Sequence, residues 1–406
     1  MTPAVISPSP IIDIEDLGLD RGAHLLIKRA LHAVAVGERI GVNGTAQDLH
    51  VHLLGWCRAQ GHQVEFSNAG ASTAWITRGA AHAGRWRDAE RAGAARATEP
   101  DAVAQLAKGT WGLAARGATV EAGAPVFHFA LASKDAIWAD DAAHLYAQAL
   151  AAQWNPDEAI DWSSEFALPE EVEDAVVQVM TYLIENENAA LLVPARFLGQ
   201  VHPHFREVLQ LLAIQIADEA RHIEVFTRRA LLKRNQLGLS TAGGQASLKT
   251  LFDESEFAVA SFLLSVLGEG TFVSLLHFLQ LHAPDPVTRQ IAKLTARDEA
   301  RHVAFGMAHL QYQMLHDANL RGRLALAVES RNDALSQTAG LNEEVFDALI
   351  LLAAGEGTPS AIAAGYAKVQ ALKLDMAQGR EVRLNRLGFG QSEATRLAHL
   401  HTRNFM

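Results

Sequence analysis

The chain has 406 residues, 49% hydrophobic and 20% charged, with a formal net charge of −11. That length predicts two or three domains, and an acidic balance with no basic stripe excludes a nucleic-acid scaffold. A single Cys excludes an intramolecular disulfide and a Cys-rich metal site, and the most apolar segments are interrupted by charges such as Glu269, which argues against a membrane span.

Residues 1–10, MTPAVISPSP, have neither the basic nor the apolar region of a signal peptide, so a disordered tail on a cytoplasmic protein is expected. From 11 to 79 the pattern is that of a small α+β unit. Ile11–Ile14 reads as a strand, Ala23–Ala33 as a helix and Glu38–Val42 as a strand. Ala46–Gln60 reads as a second helix stopped by Gly61, followed by alternating strands at Gln63–Ser67 and Ala71–Thr77. This βαβαββ order resembles the TusA-like sulfur-carrier family. Leu17-Gly18-Leu19, Val36-Gly37-Glu38 before the second strand, and Trp56-Cys57 before Gly61-His62 carry the resemblance. That family has a Cys-Pro pair directly after the Gly-Leu turn, and its Cys holds the sulfur. Here Asp20-Arg21-Gly22-Ala23 stands in that place. The resemblance therefore implies a carrier fold without carrier function, kept as a docking or dimerisation module or as a lid. Cys57 is expected to be a core residue, since a free Cys behaves as a small hydrophobe.

Residues 80–139 read as linker and lead-in. Ala80–Asp101, rich in Ala, Arg, Glu and Gly, is a linker or a frayed helix. Its His82, Arg85 and Arg87 form a solvated face, with an anion site as the alternative. Val103–Gly123 alternates between helix and loop.

A helical bundle is expected from 140 to 318. Asp140–Gln153 leads in, and helices follow at Pro169–Leu198, His204–Gln236, Leu248–His282 and Pro286–Ala318. Two of them carry the same pentapeptide, Asp-Glu-Ala-Arg-His, at Asp218–His222 and Asp298–His302. With 18 His, chance alone produces roughly one Glu-x-x-His; two copies matching at all five residues are a different matter. Residues three apart share a helix face, so Glu219 with His222, and Glu299 with His302, each make half of a metal site. Leu212, Ile216 and Phe226 flank the first pair on its face, and Ala292 and Ala296 flank the second. A carboxylate on an apolar stripe is costly unless paired or bound to metal.

Each half needs one more carboxylate from the preceding helix, by the ligand pattern of di-metal carboxylate bundles. Glu269, 30 residues before Glu299, sits among Phe262, Leu263, Val266, Phe272, Val273 and Leu276. In the first half Glu187, 32 residues before Glu219, shares its face with Met180, Leu183, Ile184, Leu191 and Pro194; Glu185, on a more polar face, is the alternative. Asp218 and Asp298 are expected to hold the His ligands across the bundle, with Arg221 and Arg301 pairing to those Asp. Tyr182 is expected to be a packed aromatic, His202 and His204 loop residues, and His277 a core residue or the border of a channel. Four carboxylates and two imidazoles suit two Fe ions, with Mn or a mixed pair also compatible.

This Glu plus Asp-Glu-Ala-Arg-His arrangement resembles the ferritin-like di-iron and di-manganese carboxylate superfamily. That superfamily includes multicomponent monooxygenases, ribonucleotide reductase small subunits and arylamine N-oxygenases. The segment Gln153–Trp162 is also similar to the Trp-containing lead-in of several of these enzymes. The resemblance implies a ferritin-like four-helix bundle at 140–318, with a C-terminal helical extension at 319–406. It implies activation of O2 at a di-metal centre to oxidise or oxygenate a small organic substrate, with an electron-donor protein as partner. A homodimer is expected, with no nucleic-acid or membrane partner. The alternatives are a catalase-like di-manganese enzyme that disproportionates peroxide and a non-catalytic iron-binding or storage protein. In the extension, Arg321–Ala339, Asn342–Ala354 and Ser360–Leu374 read as helices, with a tail at Leu384–Phe389 and a short helix near Ser392–His401.

Overall fold

The structure, a computed structural model, describes residues 9–67, 74–96, 99, 102–336 and 343–400. It forms two compact units, one within Met1–Glu90 plus Thr119–Gly123, the other comprising Arg91–Ala118 and Ala124–Met406. The fold is mainly helical, with a small four-stranded N-terminal sheet and a two-stranded one formed by Glu90–Arg91 and Thr119–Val120.

The first unit contains β1 (Ile11–Asp13), α1 (Ala23–His32), β2 (Arg39–Asn43), α2 (Leu49–Gln60), β3 (Gln63–Phe66) and β4 (Ala74–Thr77). The sheet order is β1-β2-β4-β3; β1 runs parallel to β2, and β4 is antiparallel to both its neighbours. Ile27, Leu31, Ile40, Val42, Leu53, Cys57 and Ile76 form its core. Helix α2 stops at Gly61, whose positive φ of 72° supplies the left-handed cap that an L side chain resists. The expected strand residues 71–73 lie outside the described residues.

Among the described residues of 80–101 there is no α-helix, so the frayed-helix expectation is not met; residues 81–88 form turns. Farther on, Ala102, Ala107 and Trp111 are buried, and Arg116 donates two hydrogen bonds to the buried Glu207. This stretch is packed into the second unit as part of it.

The bundle consists of α3 (Ala142–Ala151), α4 (Glu170–Leu198), α5 (Arg206–Ala230), α6 (Ala242–Phe252), α7 (Phe257–His282) and α8 (Pro286–Met314). Helix α4 begins with Glu170, Glu171 and Glu173, which favour the positive end of the helix dipole. Helix α8 begins with Pro286 at its first position and the Asp285 side chain accepting the Thr288 N–H. The single helix expected over Leu248–His282 is two helices, because Asp253–Glu256 breaks it. Phe262–Glu269 inside α7 is π-helical, a wider turn that sequence periodicity does not reveal.

A clamp closes one end. Arg229 on α5 is fully buried and donates to Glu173 of α4 (2.6 and 3.1 Å), and to Asp285 (3.2 and 2.9 Å) and Thr288 (2.9 Å) of the α8 start. Every nitrogen of this buried guanidinium is thereby matched, the condition under which burying a charge is tolerated.

The extension consists of α9 (Leu320–Ser336), α10 (Glu343–Ala354), α11 (Pro359–Arg386) and α12 (Gln391–His399). Helix α11 runs twelve residues past the expected Leu374 and absorbs the first half of the expected tail. Among the described residues α7 is long and apolar enough to cross a membrane, but 89% of its most apolar window is buried inside the protein, as befits a core helix.

Candidate metal centre

Four helices bring six side chains together. Glu187 comes from α4, Glu219 and His222 from α5, Glu269 from the end of the π segment of α7, and Glu299 and His302 from α8. All six are buried. They form two overlapping groups, Glu187-Glu219-His222-Glu299 and Glu219-Glu269-Glu299-His302, each with ligand atoms within 4.8 Å of one another. Glu185 belongs to neither group and is only half-buried.

The overlap has a geometric origin. Nδ1 of His222 faces Glu219 Oε2 at 3.1 Å and Glu299 Oε1 at 3.2 Å, with Glu187 Oε2 at 3.7 Å. Nδ1 of His302 faces the other oxygens of the same two residues, Glu219 Oε1 at 3.0 Å and Glu299 Oε2 at 3.4 Å. Glu219 and Glu299 therefore span both halves, whereas Glu187 and Glu269 each serve one.

The residues fit a pair of cations. Glu187 Oε1, Glu219 Oε1, Glu269 Oε2, both Glu299 oxygens and His302 Nδ1 are buried without a hydrogen-bond partner. His302 Nδ1 and Glu219 Oε1 lie 3.0 Å apart yet are not aligned as a hydrogen bond. Buried polar atoms are nearly always satisfied, so lone pairs that converge on shared space without meeting each other call for a third body between them.

The protonation tendencies agree. Burial, together with the charges of Glu219 and Glu299, pushes the Glu187 carboxyl well above its ordinary range. Burial does the same to Glu269, against the pull of His302, with Glu299 and Glu219 adding to the rise. Burial opposes ionisation of Glu219 as well, but His302 and His222 hold it below the usual carboxylate range. Both imidazoles are disfavoured as cations by burial, yet the surrounding carboxylates raise them well above the ordinary His range. Without metal, protons supply the positive charge that the carboxylates demand.

A surrounding layer fixes the ligands. His222 Nε2 lies 3.2 Å from Asp298 Oδ2, and His302 Nε2 lies 3.4 Å from Asp218 Oδ2, so each His meets the Asp of the opposite pentapeptide. With Nε2 turned to an Asp, Nδ1 is the nitrogen aimed inward. Arg221 donates to both Asp218 and Asp298, and Arg301 donates to Asp298. Two neighbours are not singled out as site residues by the sequence. Gln153 donates to Asp218 at 2.7 Å and accepts from Arg221 at 2.7 Å. Trp154 donates its indole N–H to Asp298 at 2.8 Å and lies under the Arg221 guanidinium, 4.6 Å from its ring centroid. Their signal is present in the Trp-containing lead-in, though not their targets. Gln215, which donates to Glu269 Oε1 at 3.2 Å, also escapes the sequence reading; its place one turn before Glu219 is the available clue.

Other expected positions fall outside the cluster. Tyr182 is buried against Phe272, with ring centroids 5.9 Å apart. His202 and His204 lie in the short connection between α4 and α5, as expected, and are buried there: His204 Nε2 accepts the Ala104 N–H, and the His204 backbone N–H goes to His202 Nδ1. His277 is exposed, so it is not the expected core residue, and it lies outside the cluster. A narrow, mostly apolar cavity beside Glu187, Glu269 and Glu299 is lined by Ala189, Ala190, Leu264 and Phe272.

No protein-family model matches the chain, and no curated protein matches it in sequence. Solved structures with a similar path include a mutant R2-like ligand-binding oxidase with an aerobically reconstituted Mn/Fe cofactor. It is 18% identical, covers 62% of this chain and 96% of its own, and has a TM-score of 0.46. A second mutant R2-like ligand-binding oxidase, with an anaerobically reconstituted Mn/Fe cofactor, is 17% identical over 60% of this chain and 92% of its own, with a TM-score of 0.46. A Synechococcus protein with aldehyde deformylating oxidase activity is 19% identical over 59% of this chain and 98% of its own, with a TM-score of 0.40. These likenesses are distant, and the chemistry of the centre rests on its own residues.

Proposed function

We propose that the protein is a di-metal oxidoreductase that uses O2 to oxidise a small organic substrate. The observation that carries this reading is the convergence of four carboxylates and two Nδ1 atoms, several without partners, in a buried pocket. Glu187, Glu219, His222, Glu269, Glu299 and His302 would hold the two ions, with iron favoured and manganese or a mixed pair compatible with the same donors. When bound, such ions supply redox equivalents and Lewis acidity for O2 activation. Four carboxylates balance two divalent charges, which removes the cost of burying the carboxylates alone.

The protein's own groups do the rest. Asp218 and Asp298 hold each imidazole with Nδ1 inward, and Arg221 and Arg301 neutralise those Asp. Gln153 and Trp154 hold the Asp side chains from outside. Ala189, Ala190 and Leu264 give the side facing the cavity an apolar lining, which suits an apolar reacting group. Electrons would arrive from a partner protein.

The residues of the first unit speak against sulfur transfer. Asp20 stands at the carrier position, and Cys57 is fully buried, its thiol pushed up to about 12 by burial. A low-pKa, accessible thiol would be needed for exchange.

The test is elemental analysis of protein purified without added metal, followed by O2 uptake after anaerobic reduction of the iron-loaded form. About two metal atoms per chain and O2 consumption are expected. Reduced metal inert to O2 would refute the oxidase reading, and rapid peroxide disproportionation by a manganese form would replace it with the catalase-like one.

A further inference from the structure

The first unit holds a concavity of about 810 Å³ whose wall is cationic. Lys28, His32, His62, Arg78, His82 and Arg87 line it, and no Asp or Glu does. Acidic residues are as frequent as basic ones in the first unit, yet none of them lines this wall. The basic side chains come from α1, the residue before β3, the residue after β4 and the turns that follow. The fold, not a run of basic sequence, gathers them.

Among the described residues no carboxylate is ion-paired with Lys28, Arg78 or Arg87. Arg78 is braced by a neutral acceptor, the Val34 carbonyl at 2.5 Å. His62 Nδ1 accepts the Gly79 N–H at 3.0 Å, which leaves its Nε2 as a donor. Arg85, also on the wall, is paired to Glu121 at 2.9 and 3.0 Å. Burial and the charges of His82, Arg78 and Lys28 lower the pKa of His62, as expected where like charges meet without a counterion. At the same pocket Trp86 is 56% exposed, with the Arg85 guanidinium 5.5 Å from its ring centroid.

We propose that this concavity binds a phosphate-bearing small molecule of nucleotide size, with its phosphates among Lys28, Arg78 and Arg87 and a planar group against Trp86. The volume lies within the range of small-molecule sites, roughly 300–1,000 Å³. Guanidinium and ammonium groups recognise phosphate oxygens through charge-assisted hydrogen bonds. A bounded concavity suits a compact anion better than an extended polymer. The assignment is independent of the metal centre.

The experiment is calorimetric titration of the full-length protein with ADP, in the presence of a chelator so that no metal bridges the nucleotide. Arms with pyrophosphate, adenosine and a single-stranded oligonucleotide complete it. Saturable ADP binding that weakens with salt is expected, with pyrophosphate weaker than ADP and adenosine weaker still. Arg87→Glu combined with Lys28→Glu should weaken ADP by roughly tenfold or more. Arg58→Glu, a reversal outside the concavity, should leave binding unchanged. Circular dichroism and thermal melting establish that both variants are folded. Absence of ADP binding at low salt, or equal binding by the double variant, overturns the site. Pyrophosphate binding as tightly as ADP overturns the part given to Trp86. An oligonucleotide binding more tightly than ADP overturns the small-molecule assignment.

Discussion

The two halves of the bundle carry the same pentapeptide and treat its surroundings differently. Four residues before the central Glu, the first half has Gln215, which reaches Glu269; the second has Thr295, buried with its hydroxyl unpartnered. Ten residues after the central Glu, the first half has Arg229, locked between Glu173 and Asp285. The second has His309, a buried imidazole beside Phe257 and Phe305 that shares a hydrogen bond with the Trp138 carbonyl. Glu187 arrives on a regular helix and Glu269 on a π turn. Near-symmetry is kept where both halves must supply the same donors and relaxed where they need not. Two equivalent metal positions with unlike neighbours allow the ions, and their reactivity, to differ.

The largest effect should separate shared from unshared ligands. Glu219→Ala or Glu299→Ala should lose both ions and all O2 consumption. Glu187→Ala or Glu269→Ala should retain about one ion per chain, since two ions need all four carboxylates. Elemental analysis decides, and equal metal loss in all four variants would remove the distinction.

Next comes the clamp. Arg229→Met leaves Glu173 and Asp285 buried without their partner, and a loss of about 3–5 kcal/mol is expected in denaturant unfolding. Replacing His309, its counterpart in the second half, should cost less at neutral pH.

Chelation ranks third. Metal that binds only the folded state, present at about a hundred to a thousand times its dissociation constant, adds about 3–4 kcal/mol. Removing it should lower the melting temperature, and an unchanged melt would count against a centre formed by folding.

Asp298→Asn should weaken metal binding by about 10–100-fold. It should exceed Asp218→Asn, because Asp298 accepts from Trp154, Arg221 and Arg301 as well as facing His222. Competition with a chelating dye would measure both.

The smallest effect is in acid. Burial lowers His309 to about 4, below its ordinary value of 6.5. The unfolded chain therefore takes up a proton that the folded one resists, and stability falls as pH drops through 6.5 toward 4. Between neutrality and about pH 5.5 the loss is about 1 kcal/mol. His309→Gln should flatten that part of the stability profile relative to the parent, and an identical slope would show the imidazole is not responsible.

Much of the centre is legible in the sequence because its signals are local. Glu-x-x-His places two side chains on one helix face whatever else the chain does, and an acid on an apolar stripe, as at Glu269 and Glu187, stands out without a structure. The lead-in is less legible. Gln153 and Trp154 act on residues far along the chain, so their spacing says nothing of their targets. The break at Asp253–Glu256 and the π turn are hidden because both lie in segments whose composition suits an uninterrupted helix.

By itself, then, the sequence determined the helical bundle, the βαβαββ unit and the pairing of Glu219 with His222 and of Glu299 with His302. Periodicity and short-range spacing are enough for those. Tertiary structure decided which carboxylate oxygen meets which imidazole. It also decided that each Asp crosses to the opposite His and that scattered cations of the first unit line one hollow. Those outcomes depend on helix rotation and on contacts between distant segments, where a turn of a fraction of a residue moves a side chain from one neighbour to another.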